Sequence, residues 1–131
     1  MPKPTLAVIP GPAAGAGLSI ALACDLRIMS STAFMTTAFA KVGFSGDYGG
    51  TLFMSQLVGT AKARELYFLS ERIGAEEAER LGLTNWVVAP EDLEQRATEI
   101  AQKLASGPTV AFSYMKENLA RALTSADVHD C

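Results

Sequence analysis

The sequence is poor in the residues on which most hydrolytic and metal chemistry depends. Its 131 residues include one histidine, His129, close to the C-terminus. That scarcity excludes Ser–His and Cys–His nucleophile systems and histidine-rich metal sites, so proton chemistry falls to carboxylates. The two cysteines are Cys24, inside an apolar run, and Cys131, the last residue. Such a pair builds no disulfide scaffold and fits a reducing compartment. Neither sign of charge dominates: 11 Lys plus Arg stand against 14 Asp plus Glu, a net charge of −3. That balance creates no field to gather nucleic acid or an anionic membrane, and neither is expected as a partner. The uncharged run from Pro4 to Cys24 is broken by Pro10, Gly11, Pro12, Gly15 and Gly17, which disrupt a spanning or signal helix. The position three before Cys24 is Ala21, not a large branched residue. The expected location is the cytoplasm, with no metal and no bound prosthetic group.

What is present is a globular composition, with 49% hydrophobic and 19% charged residues. A chain of this size buries roughly two thirds of its unfolded surface, enough for one core and too little for two domains. Residues 1–90 read as an α/β core, and 91–131 as a helical part of the same domain. The run Thr5 to Ile9 has the length and branching of a buried strand, ended by Pro10 to Pro12. After Gly15-Ala16-Gly17, the residues Leu18, Ala21 and Leu22 recur at helical spacing, and Leu26, Ile28 and Met29 resume a strand pattern. This order puts the start of a helix at the end of a strand, where open α/β sheets present ligand sites.

Residues Ala33 to Phe39 read as a strand edge, and Gly43 to Gly50 as a glycine-dense loop. A helical face of Ala63, Leu66 and Tyr67 follows Thr60 as N-cap, and Ala75 to Leu81 forms a short helix closed by Gly82. Trp86-Val87-Val88 is a strand. Pro90 suits a first helical position, ahead of a stripe of Leu93, Ala97, Ile100, Ala101 and Leu104. Beyond Gly107-Pro108 lies a second stripe of Phe112, Met115, Leu119 and Ala122.

Two segments offer chemistry. In Ala13 to Ser19, small residues let a ligand approach free N–H groups at a helix start, which suits an oxyanion. No Lys follows, so this is not a phosphate loop, and the three-glycine dinucleotide spacing is absent. The same residues also suit a helix packed closely on a sheet. Asp47, among Gly46, Tyr48, Gly49 and Gly50, precedes an apolar helical run from Leu52 to Leu57 and reads on its own as a cap or turn residue.

Taken together, the segments resemble the crotonase superfamily, the enoyl-CoA hydratase/isomerase fold, from Lys3 to about Leu123. Lys3 to Gly11 is similar to the family's strand, Ala14 to Asp25 to its oxyanion-hole helix, and Gly49-Gly50-Thr51 with Leu57-Val58-Gly59 to its next helix. Arg72 to Ala78 and Gly82 to Val88 continue the pattern. The resemblance implies a partial ββα spiral core followed by C-terminal helices. It also implies an acyl-CoA thioester substrate, of which CoA is a part rather than a cofactor. Ala16 matches the position whose backbone N–H holds the thioester oxygen, a donor worth about 3–4 kcal/mol in comparable sites. Gly15, Gly17, Ser19, Phe39 and Gly46 are implied to line the substrate site.

Ser19 and Phe39 stand where hydratases of the family carry glutamates, so hydration on the two-glutamate plan lacks its groups. Asp47 falls where epoxide-opening isomerases, dienoyl-CoA isomerases and an aryl-CoA dehalogenase carry an acid. It is implied to act as acid and base in a double-bond isomerisation. The alternatives are a nucleophilic Asp47, plain hydratase chemistry, and a non-catalytic CoA-binding or assembly module. The resemblance further implies core turns before Met1 and helices beyond Cys131, so the chain reads as a fragment. It implies a homotrimer or hexamer, in which the two C-terminal helix stripes meet a neighbour.

Overall fold

A computed structural model describes residues 3–37 and 50–124. Strand β1 (Leu6–Ile9) leads through Pro10 and Pro12 to the two-residue β2 (Ala13–Ala14), then helix α1 (Gly15–Ala23) and strands β3 (Leu26–Ser30) and β4 (Phe34–Thr36). Helices α2 (Gly50–Val58) and α3 (Thr60–Leu69), strand β5 (Ile73–Gly74), helix α4 (Ala75–Leu81) and strand β6 (Trp86–Val88) follow. A 3-10 turn at Pro90–Asp92 then opens α5 (Leu93–Ala105), and α6 (Thr109–Thr124) comes last.

The described strands form two sheets. One has the order β1-β3-β6, all parallel, and the other β2-β4-β5, parallel and then antiparallel. β3 is therefore covered on both edges, and its alternation separates two apolar layers. Met29 faces the main core, with Ile9, Leu18, Leu22, Met35, Met54 and Leu66. Its neighbour Ile28 faces the opposite way, under Leu93 and Ala97 of α5. A strand's period of two makes this division obligatory once the register Val8↔Ile28 and Ile28↔Trp86 is set.

The helix ends show where local chemistry overrides pattern. Thr60 is not the N-cap of α3; it is the first helical residue, and the cap is Gly59 at φ +85°. Gly59 ends α2 by donating its N–H to the Ser55 carbonyl, and its own carbonyl accepts from Ala63 N–H. Only glycine takes that backbone conformation cheaply, so the turn between the two helices selects it over threonine. Gly82 does close α4, at φ +83°, with Leu83 N–H reaching back to the Ala78 carbonyl at 2.8 Å. Pro90 starts the 3-10 turn, one turn ahead of α5 itself. The strand expected from Ala33 is not an edge: β4 lies between β2 and β5.

β4 is fixed by buried hydroxyls. Thr36 Oγ1 donates to the Ser70 carbonyl at 3.0 Å, and Thr37 Oγ1 to the Leu66 carbonyl at 3.0 Å. Ser70, wholly buried and left-handed at φ +51°, ends α3 and joins Thr37 through a hydroxyl pair at 3.1 Å. The end of β4 is thus tied to the end of α3.

The two C-terminal stripes fare differently. Leu93 and Ala97 bury against β3, whereas Met115 and Leu119 on α6 are 54% and 67% exposed. α6 is held by Lys116, whose Nζ lies 2.9 Å from Asp25 Oδ2 and donates to the Lys3 carbonyl. The Thr5 N–H and hydroxyl also donate to Asp25 Oδ2. Among the described residues no helix is long and apolar enough to cross a membrane.

Partial burial raises the affinity of the Asp25 carboxyl for its proton, but Lys116 and Thr5 outweigh burial and hold the pKa below its ordinary value. A carboxylate with a lowered folded pKa stabilises the fold above its unfolded pKa, and that contribution disappears as pH falls through the folded value. Acidification below about pH 4 should therefore loosen α6 ahead of the core. Amide exchange along α6 as a function of pH checks this, and Lys116→Met should remove the pH dependence while leaving β3 protected.

Candidate active site

The site is built from the start of α1. Ala14 is extended, at φ −129° and ψ 148°, and pairs with Thr36 in the parallel β2–β4 ladder. Gly15 then turns left-handed, at φ +53°, and the chain enters the helix. A side chain at that φ meets its own carbonyl, so glycine is the residue the turn admits. No side chain caps the helix, because Ala14 carries no acceptor. The first-turn N–H groups have no partner within the helix and sit at its positive end.

Around this helix start, Gly15 and Ala16 are half-buried and Gly17 is exposed. A β-carbon on Gly17 would meet no atom of the described residues within 4 Å, so close packing among those residues does not explain glycine at that position. Ser19 is buried, and its hydroxyl turns back to donate to the Gly15 carbonyl at 3.4 Å. Phe39, Gly46 and Asp47 lie outside the described residues. The segment that carries them leaves β4 at Thr37 and enters α2 at Gly50, and both elements pack on α1.

Two apolar grooves lie elsewhere. One, of about 850 Å³, runs between β1 and α5 past Val8, Ala97 and Phe112. The other, of about 530 Å³, runs under α6 past Leu22, Leu57 and Leu119. The second borders the C-terminal end of α1, and neither is lined by Gly15, Ala16 or Gly17. The larger groove has no α1 residue in its lining. The first turn of α1, with no side-chain cap, offers N–H donors of the kind that hold an oxyanion.

One feature of the site passes unnoticed in the sequence. Arg27 interrupts the apolar pattern of β3 with a charge, yet it is buried, and its guanidinium donates to backbone carbonyls at the end of α1. The signal was a lone arginine between Leu26 and Ile28 in a strand buried on both faces.

The profile of the enoyl-CoA hydratase/isomerase family matches residues 1–130. The chain belongs to the enoyl-CoA hydratase/isomerase family. A short-chain-enoyl-CoA hydratase of Clostridium acetobutylicum is 40% identical over 121 residues, covering 92% of this chain and 46% of that protein. A 1,2-epoxyphenylacetyl-CoA isomerase of Escherichia coli is 35% identical over 125 residues, covering 95% and 48%. The crystal structure of an enoyl-CoA hydratase subunit from Geobacillus kaustophilus superposes with a TM-score of 0.92 at 35% identity, over 95% of this chain and 48% of that one. The fold is therefore the crotonase fold, and the chain spans about half the length of these relatives.

The site geometry separates two glycines by substitution. Gly15→Ala should cost roughly 1–2 kcal/mol of stability, because its β-carbon is forced into the left-handed region. Gly17→Ala meets none of the described residues and gains helix propensity, so it should raise stability by about 0.5–1 kcal/mol. If a ligand occupies that space, Gly17→Ala should also weaken binding of crotonyl-CoA. Thermal unfolding and calorimetry on both variants check the pair of signs.

Proposed function

We propose that this protein acts on an acyl-CoA thioester, holding the thioester oxygen at the Ala16 N–H and moving a proton with Asp47. The observation that carries this reading is a helix start with no side-chain cap, beside the ends of two parallel strands. The segment that joins one of those strands to the next helix supplies Asp47, and no other acid occurs between Asp25 and Glu65. CoA enters as part of the substrate, and no other cofactor is invoked.

The chemistry proposed is an isomerisation. The Asp47 carboxylate takes a proton from the carbon beside the thioester carbonyl, and the electron pair moves onto the thioester oxygen at the Ala16 N–H. Protonated Asp47 then returns the proton to a carbon further along the chain, and the charge collapses back as the double bond shifts. No atom is gained or lost. A preorganised donor at a helix N-terminus stabilises the enolate, because its dipole is already aligned when the charge develops. Gly15 and Gly17 keep the approach clear, with Phe39 and Gly46 shaping the acyl side. Hydration, the activity named for the Clostridium relative, would need acids where this chain has Ser19 and Phe39. Ser19, bonded back to Gly15, is already engaged.

The same reading makes the protein a cytoplasmic homotrimer or hexamer, supported by the exposed Met115 and Leu119 of α6. Asp47→Asn should lower turnover of enoyl-CoA substrates by about 10²–10⁴-fold, with the solvent deuterium that enters the product falling in step. Full activity in Asp47→Asn would remove the residue from the mechanism. A covalent acyl or aryl adduct on Asp47, seen by mass spectrometry, would make it a nucleophile instead.

A further inference from the structure

Arg27 is 4% exposed, the only charged side chain among the buried described residues. Among those residues no carboxylate lies within ion-pair distance of it. Its guanidinium meets backbone oxygens instead. Nη1 donates to the Cys24 carbonyl at 2.7 Å and to those of Leu22 and Ala21 at 3.3 and 3.4 Å, while Nε donates to the Leu83 carbonyl at 2.7 Å. The first three carbonyls close the last turn of α1, where the helix exposes its negative end.

The backbone of Arg27 is fastened just as firmly. Its N–H donates to Asn85 Oδ1 at 2.8 Å, and its carbonyl accepts from Asn85 N–H at 2.9 Å and Thr84 Oγ1 at 3.0 Å. The residue is therefore pinned in β3 by the turn before β6, and α1 hangs from its side chain. Desolvating a guanidinium is costly, and among the described residues no buried acid offsets it. What that cost secures is the placement of one helix end. α1 has nine residues, so a stiff helix carries that placement to its other end, about 13 Å away.

We propose that Arg27 is a positioning residue for the oxyanion site: its clamp on the C-terminal carbonyls of α1 sets where the Ala16 N–H points. This rests on the reading of the α1 start as the seat of the thioester oxygen. Lysine keeps the charge but has a single nitrogen, which cannot span Leu83 and the end of α1 together. Methionine removes the charge and keeps much of the volume.

The test uses the whole chain with crotonyl-CoA labelled with carbon-13 at the thioester carbonyl, and reads two signals. The first is the amide resonances of Ala16 and Gly17 in the free protein, and the second is the downfield shift of the carbonyl on binding. Arg27→Lys, and Arg27→Met should Arg27→Lys fail to fold, should move both amides and reduce the carbonyl shift by about half or more. Affinity for the ligand should change less than about threefold, since most of its contacts are untouched. Leu93→Ala, which destabilises the separate α5 cluster, should move neither signal. Unmoved amides in a folded Arg27 variant would overturn the positioning role. An unshifted carbonyl in the unsubstituted chain would overturn the thioester reading instead, and the amides would still decide whether Arg27 places α1.

Discussion

Everything proposed for this molecule depends on a helix that begins without a cap. Capping is worth about 0.5–2 kcal/mol, and α1 forgoes it: Ala14 is extended in a strand pair, Gly15 turns left-handed, and the first-turn N–H groups are left to another acceptor. Such a start persists only where the surroundings fix it. β2 is held by β4, β4 is held by the buried Thr36–Thr37–Ser70 hydroxyl cluster, and the far end of α1 is held by Arg27. The sheets serve as a frame that keeps one row of N–H groups in place.

Much of this frame could be read from the residues. The apolar runs around Ile9 and Ile28 announce strands, Gly82 announces a helix end, and the Gly15-Ala16-Gly17 stretch announces a helix start that a ligand can approach. What stayed hidden lacks periodicity. Strands β2 and β5 have two residues each, too short to alternate, and exist only because β4 gathers them. Gly59 displaced Thr60 as a cap because the bend between two helices, and not capping strength, selects the residue there. Arg27 was invisible because a charged residue in a strand ordinarily marks a solvent face, whereas here its partners lie 3 to 56 positions away along the chain. For the candidate site the residues alone left the small-residue helix start open between ligand approach and close packing, and the roles of Ala16 and Asp47 followed only from family resemblance.

On the proposed reading, the scaffold also accounts for the variety of names among its relatives. A helix N-terminus stabilises negative charge on a thioester oxygen whatever happens at the neighbouring carbons, so that step is common to several reactions. The reaction is then decided by where an acid stands in the surrounding segments. In this chain Ser19 has turned its hydroxyl into the helix, and the reading proposed above assigns the proton transfer to Asp47. The apolar grooves under α5 and α6 lie away from the helix start, with no lining from Gly15, Ala16 or Gly17.

The central claim is that the Ala16 N–H receives a thioester oxygen, and a crystal structure with a bound acyl-CoA tests it most directly. The account predicts that oxygen at about 2.7–3.1 Å from Ala16 N, in line with the axis of α1. A thioester seated in either apolar groove, with the first turn of α1 bonded only to water, would contradict it.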